Sequence, residues 1–91
     1  WTRRTGPPGV PDELTLRRLA THLSAREHAL LRLALTEDLP VELDYLDRNG
    51  RVTRRTVDDL AWDGQRLVGW CRLREDERNF ALDGVVAVRA V

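Results

Sequence analysis

Lysine, isoleucine and methionine are missing from this sequence, and cysteine, tyrosine and phenylalanine occur once each. All 15 basic residues are therefore arginines, set against 15 carboxylates. GC-rich codon usage biases composition this way, so the arginine excess carries no functional meaning by itself. Arginine still offers a planar fork that grips phosphate or carboxylate bidentately. The balanced charge excludes a generic polyanion binder. The lone Cys71 excludes an internal disulfide, leaves a metal cluster without support and points to a reducing, cytoplasmic setting. No apolar run reaches the length of a membrane span and no signal peptide is visible, so no membrane partner is expected. Gly-rich phosphate loops, paired catalytic carboxylates and serine elbows are also lacking. His22 and His28 have no partner at ligand spacing and read as solvated helix residues. Neither an enzyme nor a cofactor is expected in these residues.

The 91 residues suffice for one domain with a modest core. The chain starts at Trp1, which reads as a piece excised from a longer protein. Residues 1–10, with two prolines and two glycines, have linker composition. A helical segment is expected over 11–37. Asp12 offers an N-cap, and Leu16, Leu19, Ala20 and Leu23 form one apolar stripe. Ser24 and Glu27 make a capping box for a second helix from about Ala25 to Thr36, ended by Pro40. Its leucines at 30, 31, 33 and 35 leave little polar surface, which predicts cover on several sides. A second copy of the chain or another domain of the parent protein is the expected partner there.

From Val41 the hydrophobic period changes to two. Val41, Leu43 and Tyr45 mark a first strand and Asn49-Gly50 a type I′ hairpin turn. Arg51–Val57 follows as a second strand. After Asp63-Gly64 come Gln65–Leu73, a charged turn at Arg74–Arg78, Asn79–Leu82, a break at Asp83-Gly84, and Val85–Val91. The pattern predicts a mainly β fold over 38–91: a five-stranded, strongly curved antiparallel barrel behind one or two helices.

The ordered set Val41, Tyr45, Gly50, Arg55, Val57, Leu67, Trp70, Cys71, Arg74, Asp76, Arg78 and Phe80 resembles the WYL domain, named for a Trp-Tyr-Leu motif. The resemblance spans 41–91 and implies a small Sm-like barrel. It also implies a ligand-sensing role in bacterial transcription regulators or DNA-processing and repair enzymes, with nucleic acids or nucleotides as ligands. Carried over residue by residue, it places Arg55, Arg74 and Arg78 in the ligand pocket. The name motif reads Gln65-Arg66-Leu67 here, so both aromatics are missing, and Ala81 and Gly84 stand where further arginines are expected. Arg66 is the candidate replacement contact for the missing tyrosine.

Two readings of the arginines compete. They converge on an anion through charge-assisted bonds, or they pair with Asp58, Asp59, Asp76 and Glu77 on a solvated rim. Residues 38–91 hold eleven carboxylates against nine arginines, so long-range attraction of a polyanion is weak. Trp70, inside an apolar run, reads as core, and Trp62, beside a turn, as the better stacking surface for a base. Tyr45 reads as core with its hydroxyl reaching out, and Cys71 as a buried, inert thiol. The expectation is a non-catalytic domain that senses a nucleotide or single-stranded nucleic acid, weakly. The alternative is a degenerate barrel serving as an architectural or dimerisation module.

Overall fold

The computed structural model describes residues 10–91, so all but the last residue of the expected linker lies outside the described residues. Helix α1 (Glu13–Leu19) starts where the Asp12 side chain accepts the Thr15 N–H at 2.8 Å. Helix α2 (Ala25–Glu37) carries the expected capping box: Ser24 Oγ accepts the Glu27 N–H, and Glu27 Oε1 accepts the Ser24 N–H. Asp38, in the left-handed region, closes α2 by donating its N–H to the Ala34 carbonyl. Leu16, Ala20, Leu23, Leu31 and Ala34 enter the core. Leu19 does not. As the last residue of a seven-residue helix it has no following turn beside it, and it stays 47% exposed.

Both histidines bond to the backbone, although only His28 leaves the exposed surface. His28 is buried and its Nε2 lies 2.7 Å from the Ala20 carbonyl, while His22 Nε2 lies 2.6 Å from the Val85 carbonyl. A carbonyl only accepts, so each ring donates from Nε2. Both partners are backbone atoms, which side-chain spacing does not reveal.

Five strands follow: β1 (Val41–Leu46), β2 (Val52–Trp62), β3 (Arg66–Cys71), β4 (Asp76–Ala81) and β5 (Val85–Ala90). They form one antiparallel sheet in the order β4-β3-β2-β1-β5. The two edge strands, β4 and β5, are joined by a three-residue 3₁₀ turn, Leu82–Gly84. Three residues reach about 10 Å at most. Opposite edges can be linked so briefly only when the sheet curls back on itself. The curl brings Tyr45 of β1 to the end of β4, where its hydroxyl accepts the Ala81 N–H at 3.2 Å. No ladder joins β4 to β5, so the expected barrel is an open one. The β1–β2 connection is also looser than a two-residue type I′ turn. It runs from Asp47 to Arg51, and of Asn49-Gly50 only Gly50 has positive φ.

Strand β2 is longer than the sequence pattern indicates because it contains a bulge. Its pairing with β3 shifts by one residue between Asp58 and Ala61, and Asp59 adopts φ 54°. Strict alternation from Val57 would turn Asp59 and Ala61 inward. The extra residue reverses the phase, so Leu60 and Trp62 face the core instead. Gly69 of β3 lies opposite the bulge. A Cβ there would sit 2.4 Å from Val57 Cγ1 and 2.9 Å from the Asp58 carbonyl oxygen, so the close approach requires glycine.

Candidate anion-binding site

Strand alternation sends Leu43 of β1, Val57 of β2, Leu67 and Cys71 of β3, and Phe80 of β4 into the core. Arg55 occupies an inward position on β2 as well, and it is only 6% exposed. Its Nε donates to Thr53 Oγ1 at 3.0 Å, and Nη1 lies 4.0 Å from Cys71 Sγ. The guanidinium carbon stands 5.9 Å from the Tyr45 ring centre and 6.0 Å from that of Phe80. These two rings meet edge to face, 5.1 Å apart. Among the described residues no carboxylate lies within 4.0 Å of Arg55. A guanidinium has five N–H donors, and most of those on Arg55 have no partner among the described residues.

Above Arg55 opens a concavity of about 350 Å³. The β3–β4 turn contributes Arg74, and β4 contributes Arg78 and Asn79. The β1–β2 loop contributes Asp47, Arg48 and Asn49. Four arginines thus face one carboxylate. Asp47 accepts the Asn49 and Arg51 N–H groups at 2.8 and 3.0 Å and so holds the loop in shape. The Arg51 N–H foremost, helped by that of Asn49 and by the charges of Arg51 and Arg55, keeps its carboxyl below the usual carboxylate range.

Arg55, Arg74 and Arg78, expected together, line the same concavity. The competing rim pairing is not formed: Asp58 is taken by Arg72, with contacts of 2.7 and 2.8 Å, and Arg74 and Arg78 have no carboxylate within 4.0 Å among the described residues. Arg66 does not join them and lies in a separate depression with Arg18 and Asp83. The two tryptophans exchange their expected places. Trp62, proposed as a stacking surface, is 8% exposed because the bulge turns it inward. Trp70, expected in the core, is 44% exposed: Gly69 and Cys71 take the inward positions of β3, leaving Trp70 on the outer face. Arg48, Asn49 and Asn79 were not anticipated. The Asn49-Gly50 signal speaks only for a turn, and which wall the turn forms depends on the curl of the sheet. Cys71 is a buried free thiol, and no group of three or more metal-ligating side chains occurs among the described residues.

Two helices and a curled, open antiparallel sheet with an arginine-lined mouth make up a small, mainly β domain. The chain matches the WYL domain over residues 26–90 and belongs to that family. WYL domains are generally regulatory and non-catalytic. A similar solved structure is the proteasome accessory factor B/C of Arthrobacter aurescens, with 30% identity over 74% of this chain and a TM-score of 0.56. The match spans about 12% of that longer protein. No curated protein matches the chain. No helix among the described residues is long and apolar enough to cross a membrane.

Proposed function

We propose that this domain senses a phosphate-bearing nucleotide or single-stranded nucleic acid for a bacterial transcription regulator or DNA-processing protein in the cytoplasm. Arg55, Arg74 and Arg78 would hold the anion. One observation carries the reading: a guanidinium buried at the floor of a concavity, with no carboxylate within 4.0 Å among the described residues, and three further arginines lining that concavity against the single Asp47. Burying a charge without a counterion in contact is costly. A chain that keeps one at the bottom of an open mouth is poised for an anion from solution. Titration of the chain with a labelled short oligonucleotide and a nucleotide at low salt tests this. Each charge-assisted contact is worth about 1.5–3 kcal/mol, so Arg78→Ala should weaken binding about ten-fold or more. Arg66→Ala should leave it unchanged. Saturable binding that ignores Arg78 would place the ligand elsewhere.

The architectural reading keeps one observation of its own. Leu14, Leu19 and Leu33 of the two helices remain exposed, Leu33 at 48%, although Leu31 and Ala34 are buried. The helical layer is therefore the surface that we propose for a second copy or a parent-chain domain. Sedimentation of the wild type against Leu33→Glu tests it: self-association that survives the charge would place the contact elsewhere.

A further inference from the structure

We infer that the pocket selects a compact phosphorylated end, such as a nucleoside polyphosphate or a terminally phosphorylated oligonucleotide, and not a continuous strand. The inference rests on the anion-pocket reading and narrows it. A protein that follows a single strand needs a basic groove tracking the backbone and aromatic faces on which successive bases stack. Among the described residues of the sheet neither continues beyond this mouth, and past it Arg51 of the adjoining β1–β2 loop adds one exposed cation with no carboxylate within 4.0 Å. Of the sheet arginines outside it, Arg72 is clasped by Asp58, Arg89 by Glu42 and Asp44, and Arg54 reaches Asp44 at 3.4 Å. These guanidinium groups are already neutralised. Arg66 lies in the other depression.

Carboxylates also adjoin the lining arginines along the chain. Asp76 shares a face of β4 with Arg78, one alternation away, and follows Arg74 by two positions. Glu75 stands beside Arg74 in the turn at φ 54°. Asp47 lies on the opposite wall. The backbone of a strand that continued out of the pocket would run past these negative groups. The aromatic residues fit the same picture. Tyr45 and Phe80 flank the Arg55 guanidinium, Trp62 is buried, and Trp70 lies on the outer face of β3, opposite to the inward Cys71. At about 350 Å³ the concavity is at the small end of ligand sites, which run roughly 300–1,000 Å³.

The test compares oligothymidylates of increasing length, each with and without a 5′-phosphate, alongside a nucleoside triphosphate. Removing the terminal phosphate is expected to cost about ten-fold or more in affinity. Lengthening the phosphorylated strand should change little. The salt dependence should correspond to one or two phosphates, a log–log slope of about −0.7 for each. Arg78→Ala should erase the preference for the phosphorylated end, and neutralising Glu75 and Asp76 together (E75Q with D76N) should let longer strands gain affinity. Affinity that climbs with length and ignores the terminal phosphate would overturn the selection of ends while leaving the pocket in place. Failure of every probe to bind at low salt would remove the pocket reading and this inference with it.

Discussion

Arg55 combines near-complete burial with the absence, among the described residues, of any carboxylate within 4.0 Å. Thr53 fixes its Nε, which leaves the far end of the fork for the pocket. If this charge is kept for binding, replacing it with an apolar side chain of similar reach should relieve the folded state. Arg55→Met is therefore expected to hold or raise the denaturant midpoint while abolishing oligonucleotide binding. A loss of more than about 1 kcal/mol would mark Arg55 as a packing residue first. The tryptophans give a second contrast at this scale. Trp62→Ala removes a buried side chain and should cost about 3–5 kcal/mol, whereas Trp70→Ala should stay within about 1 kcal/mol of the wild type. Unfolding curves of the two variants, followed by circular dichroism, make the comparison directly.

Among the elements, the helices were legible because their signals are local. Asp12, Ser24 and Glu27 bond to backbone groups within three residues, and those bonds are present. Strand β2 was not legible past Val57, because its second half is out of phase with its first. A pattern of period two cannot announce a residue that breaks the period. The bulge depends on its opposite strand as much as on itself. Gly69→Ala would drive a methyl group into Val57 and the Asp58 carbonyl, one of which is backbone and cannot rotate away. The expected cost is roughly 1–3 kcal/mol, read as a lowered melting temperature with the Trp62 fluorescence shifted toward that of exposed indole. An unchanged Trp62 environment would show that β3 yields without disturbing the bulge.

For the whole molecule, carboxylates tie strand to strand and, through Glu27 and the Val88 N–H, α2 to β5, and they set its response to acid. Arg89 holds the Asp44 carboxyl below the usual range, Arg72 does the same for Asp58, and the Arg66 and Gln65 N–H groups for Asp63. Partial burial pushes Glu27 up, but the Ser24 and Val88 N–H groups outweigh it and the carboxyl ends lower. Groups with depressed folded values bind protons less readily in the native chain than in the unfolded one. Their stabilisation is thus complete above the ordinary carboxylate range and is lost as pH falls through the folded values. Urea midpoints should be level from neutral pH to about pH 5 and drop below about pH 4. Asp44→Asn should flatten that drop. At this scale the candidate site was half legible: Arg55, Arg74 and Arg78 converge as the family pattern implies, while Arg66, close to them in the pattern, faces another depression. Sequence order carries the family's positions but not the curl that decides which of them share a mouth.

The strand order also bears on how the chain is made. β1 is flanked by β2 and β5, so one side of the first strand waits for the last. A ribosome delivers the amino terminus first, at about 5–20 residues each second. Until Val85–Ala90 has left the exit tunnel, Val41 and Leu43 of the nascent chain lack half their cover. The helices and the β1–β2 hairpin can gather early. The arginine-lined mouth should acquire its final shape only when the sheet has curled, so a nascent domain should not hold an anion there before synthesis has passed the final strand.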